Sequence, residues 1–169
     1  LLGGMTSQET GSVWKGMQHL DFMYLLEAGS GTINAGLPLS VIGNNMAYLR
    51  KAYNETGGYE SMPFSVTEDS QLLAAISKLK KYKIIYPLDK DTLIESIPVE
   101  GVISLYKQKK RWGIEGLNVP PHGLLVLGTA FFSHLLSVLI LPFSPVTGLF
   151  AILTIVTADL FFLGSIVHR

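Results

Sequence analysis

The chain contains no cysteine, which excludes a disulfide frame and any thiolate metal site. It has no surplus of either charge: 13 Lys and Arg stand against 13 Asp and Glu. A general nucleic-acid binder needs a basic stripe to neutralise phosphates, so nucleic acid is not an expected partner. One end is almost free of charge, with only Asp159 and Arg169 after Asn118. A signal peptide is missing as well. Leu1-Leu2-Gly3-Gly4 has no initiator Met and no basic region, and Met5 is followed by polar residues, so the chain reads as one entered in the middle.

What is present is unevenly spread. Over 169 residues the mean hydropathy is +0.36, and the excess lies at the C-terminal end. The composition divides the chain into a folded part, residues 1–118, and a membrane part, residues 119–169. Two apolar runs, 123–141 and 146–167, are broken only by His134 and Asp159, and each is long enough to span about 30 Å as a helix. Pro142-Phe143-Ser144-Pro145 between them predicts a hairpin. With Lys107 to Arg111 and Arg169 flanking its outer ends, the positive-inside rule places those ends, and the folded part, on the cytoplasmic side of an integral membrane protein. In ideal helices His134 and Asp159 differ in depth by about 9 Å, so direct pairing is not expected.

In the folded part, the helical period over residues 12–28 predicts an amphipathic helix capped by Ser12. Val13, Met17, Leu20 and Tyr24 form its stripe, widened by Trp14, Phe22, Leu25 and Leu26. Gly29-Ser30-Gly31 is read as its end, because the strand–loop–helix setting of a phosphate cradle is lacking. Residues 38–42 suggest a strand that delivers Gly43-Asn44-Asn45 to a helix over 46–54, which Gly57-Gly58 closes. A helix over 71–79, with Leu72, Ala75, Ile76 and Leu79 inward, and strands over 83–86 and 92–97 complete the expectation.

Three stretches carry chemistry. Asn44 and Asn45 offer amides for hydroxyl-bearing ligands, or, more plainly, a helix cap. In Thr67-Glu68-Asp69 the carboxylates suit a helix start whatever their function; functionally, Asp69 is a candidate general base, able to take a proton from an attacking hydroxyl. Lys107-Gln108-Lys109-Lys110-Arg111-Trp112 reads as a basic juxtamembrane collar. It also offers a guanidinium fork for diphosphate oxygens, a flat indole for a sugar ring and an amide for hydroxyls. Asp89-Lys90-Asp91 has the form of a cation clamp, but sits in a Pro-led turn with a Lys between its acids and is rejected as a metal site.

In this order, Gly43-Asn44-Asn45-Met46-Ala47, Gly57-Gly58-Tyr59, Thr67-Glu68-Asp69 and Gln108-Lys109-Lys110-Arg111-Trp112, followed by membrane helices, resemble the C-terminal half of a membrane-bound family 2 glycosyltransferase. That is the group of processive polysaccharide synthases and glycolipid glycosyltransferases. The resemblance implies an α/β fold of GT-A type and inverting transfer from a nucleotide-sugar donor to a glycan or lipid acceptor. Asp69 matches the base and Glu68 its neighbour; Gln108, Arg111 and Trp112 match the substrate-contacting motif, and Asn44 and Asn45 lie near the acceptor side. The family's nucleotide-binding strands and its Mg²⁺- or Mn²⁺-binding Asp-x-Asp come earlier than anything in this chain. The expectation is therefore a fragment, inactive alone, with its metal ligands elsewhere. The alternative is a non-catalytic membrane-anchored interaction module.

Overall fold

The computed structural model describes residues 1–116 and 121–167. The chain divides into two compact units, Leu1–Asn118 and Val119–His168. The first mixes helices with short strands; the second is a pair of apolar helices.

The first unit is built around its N-terminal residues. β1 (Leu2–Gly3) and β2 (Thr6–Gln8) are short strands in a stretch where Leu1, Met5, Thr6 and Gln8 are all buried. β1 pairs antiparallel with β3 (Met46–Ala47), and Leu2 bridges to Ile85. β2 pairs in parallel with β4 (Ile94–Ser96). The strands predicted over 83–86 and 92–97 are thus reduced to one bridging residue and to Ile94–Ser96. Residues 38–42 form no strand.

α1 (Val13–Asn34) begins as expected, with the Ser12 hydroxyl accepting from Lys15 N at 3.2 Å. It does not stop at Gly29-Ser30-Gly31. Gly29 packs under the Ser40 carbonyl, where a Cβ would come within 3.1 Å of the oxygen, and Ser30 is fully buried. Gly29 and Ser30 thus serve close packing, whereas Gly31 is exposed. The end comes at Gly36, whose φ of 78° permits a Schellman closure. There Leu37 N donates to Thr32 O at 2.8 Å and Gly36 N to Ile33 O at 3.0 Å. The inward face also differs from the predicted stripe. Gln18, Phe22, Leu26 and Ile33 are buried, whereas Val13, Met17 and Leu20 are 83%, 62% and 55% exposed. α1 carries apolar residues on more than one face, so periodicity alone could not choose between them.

Polar Gln18 turns inward because its amide is fully used. It donates to Val99 O at 3.0 Å and accepts from Val99 N at 3.1 Å, while Trp14 Nε1 donates to the same carbonyl at 3.1 Å. This clasp holds the segment that leads to the helix bearing the Gln-x-x-Arg-Trp residues. Gln18→Leu is expected to cost about 2 kcal/mol by orphaning Val99 N and leaving Val99 O to Trp14 alone. Chemical denaturation and faster amide exchange at Val99 would report it; unchanged exchange there would show that the clasp is not needed.

α2 (Arg50–Glu55) starts later than the predicted helix over 46–54, since Met46 and Ala47 are held in the ladder with β1. Gly57 and Gly58, at φ of 82° and 69°, end it as read from the sequence. α3 (Glu68–Lys78) buries Leu72, Leu73 and Ile76. α4 (Val102–Gly116) completes the unit.

In the second unit, α5 (Pro121–Ile140) and α6 (Pro145–Val167) are long and apolar enough to cross a membrane. They approach closely at the turn, where a Cβ on Gly148 would lie 2.9 Å from Leu141 backbone atoms. His134 Nε2 lies 3.0 Å from Asp159 Oδ2, contrary to the expectation from depth. Side chains lean toward the N-terminal end of their own helix. In this antiparallel pair, His134 therefore reaches away from the turn and Asp159 reaches back toward it, which closes the offset.

Candidate functional site

Asp69 stands in the first turn of α3, where the helix N-terminus favours a negative charge. Its Oδ2 accepts from Gly43 N at 2.8 Å and its Oδ1 from Ser70 N at 2.7 Å. Two stretches singled out in the sequence, Gly43-Asn44-Asn45 and Thr67-Glu68-Asp69, are thereby joined. Burial raises the Asp69 pKa above the usual carboxylate range; the two N–H donors oppose this, and the neighbouring Glu68 adds to it. A half-buried carboxylate so lifted is a better proton acceptor than a free aspartate. Glu68 itself is exposed.

The two asparagines face different duties. Asn45 Nδ2 donates to Met5 O at 2.6 Å and to Thr92 O at 2.7 Å, so its hydrogens tie the turn to the N-terminal segment and to the residues before β4. Asn44 is exposed, and its Oδ1 accepts from Thr6 Oγ1 at 3.0 Å.

Beside this turn lie three tyrosines, of which the sequence reading quoted Tyr59 alone, within Gly57-Gly58-Tyr59, and gave it no role. Tyr53 of α2 stacks on Tyr48 at 5.7 Å between centroids and meets Tyr59 edge-on at 5.4 Å. Partial burial pushes the Tyr59 hydroxyl up to about 12, with Tyr48 and then Glu68 adding to the effect. A glycine pair before an aromatic residue was the available signal, and its reading as a helix end absorbed it.

α4 carries Gln108, Arg111 and Trp112. Trp112 packs on Phe22 of α1 at 6.1 Å, and Lys109 lies 4.3 Å over the indole ring while also pairing with Asp21. Arg111 is exposed and Gln108 half-buried. Among the described residues, no hydrogen bond or ring contact links this set to Asp69. The structure thus brings Asp69 and the Gly43 turn together and holds the α4 residues against α1.

The residues do not fit a divalent-cation site. Asp89 Oδ1 accepts from Asp91 N at 3.0 Å, spending that carboxylate on its own turn. Among the described residues, no group of three or more His, Asp or Glu is placed to hold a metal. No protein-family model, curated protein or solved structure matches the chain.

Proposed function

We propose that this chain is the acceptor-side part of an inverting, membrane-bound family 2 glycosyltransferase of GT-A fold, with Asp69 as general base. The observation that carries the reading is the Asp69 carboxylate, held at the start of α3 by Gly43 N–H and raised in pKa by burial. In the step envisaged, an Asp69 oxygen takes the proton of an acceptor hydroxyl. The hydroxyl oxygen bonds to the anomeric carbon as the bond to the nucleoside diphosphate breaks, and the diphosphate leaves with the electron pair. Arg111 would pair with diphosphate oxygens, Trp112 and Gln108 would contact a sugar, and Glu68 would support the base electrostatically. The hairpin of α5 and α6 would anchor the chain in the membrane with these groups on the cytoplasmic face, where nucleotide sugars occur. A Mg²⁺ or Mn²⁺ site would be supplied by other parts of a longer chain.

The test is sugar transfer by membranes carrying the full parent reading frame, using labelled nucleotide sugars with Mg²⁺ or Mn²⁺, beside Asp69→Asn. Transfer is expected to fall about 10²–10⁴-fold in the variant with nucleotide binding retained; equal transfer would remove Asp69 from the mechanism. A stability readout accompanies it. The raised carboxyl binds its proton more tightly in the folded than in the unfolded chain, so its contribution to stability is lost as pH rises from the unfolded toward the folded pKa, and the deficit persists above it. Asn carries no such deficit, though its one oxygen can accept from only one of Gly43 N and Ser70 N, so the loss of stability with rising pH is expected to be smaller in Asp69→Asn than in the wild type. The second reading, a non-catalytic anchored module, is favoured by the exposed Val13, Met17, Leu20 and Leu25 on α1. It predicts no transfer and no nucleotide binding in the full frame.

A further inference from the structure

We infer that Tyr48 and Tyr59 form a stacking platform for pyranose rings, which delivers an acceptor glycan to Asp69. The word acceptor rests on the glycosyl-transfer reading; the saccharide site itself does not.

The cluster is constructed around a central strut. Tyr53 lies under Tyr48 with 24° between the planes and takes Tyr59 at 67°. Its hydroxyl accepts from Tyr59 N at 3.0 Å, so ring and hydroxyl are both spent on holding the other two. At Gly58 an added Cβ would lie 2.9 Å from the Tyr53 ring, so close approach of the backbone belongs to the design. The outer residues are left 38% (Tyr48) and 37% (Tyr59) exposed. Tyrosines gathered merely to fill a core would be buried to a greater extent; these stay at the surface.

The Gly43 turn and Glu68 link the cluster to the candidate base. Tyr48 follows the Gly43-Asn44-Asn45 turn directly after β3, and Gly43 N bonds Asp69. Tyr59 lies within electrostatic reach of Glu68, the residue preceding Asp69. A pyranose has an apolar C–H face that stacks on an aromatic ring, and a rim of hydroxyls that needs donors and acceptors. The Tyr48 and Tyr59 hydroxyls, which share a hydrogen bond, the exposed Glu68 carboxylate and the exposed Asn44 amide supply both. An acyl chain would gain from the rings but leave these polar groups unpaired, so a glycan is the better match.

The experiment uses the full-length chain in lipid nanodiscs and saturation-transfer NMR with three probes: cellohexaose, chitohexaose and a hyaluronan hexasaccharide. At least one is expected to receive saturation at its ring protons. Tyr48→Ala and Tyr59→Ala should each weaken that binding about tenfold. Tyr59→Phe, which keeps the flat face but loses a phenol hydroxyl, should retain more binding than Tyr59→Leu, which keeps apolar bulk without the flat face and should bind as weakly as the Ala variant. Circular dichroism on each variant separates loss of the face from loss of the fold. Asp69→Asn should bind the sugar normally while failing to transfer. No saturation in the unaltered protein, or full binding by folded Tyr59→Leu and Tyr48→Ala, overturns the platform. Sugar binding that depends on the tyrosines, in a chain that consumes no nucleotide sugar, keeps the platform and sinks the transferase reading. Transfer that needs Asp69 but neither tyrosine does the reverse.

Discussion

Gly43→Ala is expected to depress sugar transfer by about a hundredfold, the scale on which a reacting group displaced by about 1 Å loses its effect. A Cβ on Gly43 would fall 2.6 Å from Asp69 Oδ2 and 2.9 Å from its Cβ. The carboxylate can yield only by breaking the 2.8 Å bond it accepts from Gly43 N, which is the contact that aims it. The small side chain should also cost about 1–3 kcal/mol through overpacking at the start of α3. The informative comparison is a double-mutant cycle with Asp69→Asn. If Gly43 acts on transfer through Asp69, the double variant loses no more activity than Asp69→Asn alone. Multiplied losses would give Gly43 a separate role, such as admitting the acceptor. Activity in Gly43→Ala equal to wild type would mean that the Gly43–Asp69 contact is dispensable.

Breaking the His134–Asp159 contact should have the largest effect on stability. His134 Nδ1 lies 2.8 Å from Ala130 O, which can only accept, so Nδ1 carries a hydrogen. The 3.0 Å contact between Nε2 and Asp159 Oδ2 then needs one proton between them, and the pair is neutral overall wherever that proton sits. Neutrality suits an apolar helix pair, and the loss of either partner takes this contact from the other. His134→Leu and Asp159→Leu are each expected to destabilise the hairpin by about 3 kcal/mol. The double Leu variant should return to within about 1 kcal/mol of wild type, or exceed it, because an apolar pair has no polar group to satisfy. Denaturant melts in bicelles would measure all three. Losses that simply add in the double variant would show that the two side chains do not stabilise the hairpin as a pair.

The parts legible in the sequence are those governed by neighbours along the chain. Ser12 caps α1 because a hydroxyl before a helical run can meet a free N–H three residues on. Gly57 ends α2 because it tolerates a left-handed φ. The carboxylates of Glu68 and Asp69 open α3, where the helix dipole favours them. The two apolar helices follow from long runs with almost no charge. None of these needs a distant partner, so period, capping and hydropathy suffice.

Only the tertiary structure decided the rest, since each remaining feature depends on atoms far away in the chain. Gln18, which period alone would send to solvent, turns inward because Val99 offers it a donor and an acceptor. The helix runs through Gly29-Ser30-Gly31 because the Ser40 backbone packs against it, and a local reading sees only breakers there. Leu1 to Gln8 shows little strand pattern, yet becomes a buried centre because β3, β4 and Ile85 pair with it. The bond from Gly43 to Asp69, the commitment of Asn45 to Met5 and Thr92, and the meeting of His134 with Asp159 are long-range in the same sense. The sequence by itself determined which side chains were available for chemistry and which helices could enter a membrane. Packing and hydrogen bonding between distant segments decided which of those side chains meet and which way they face.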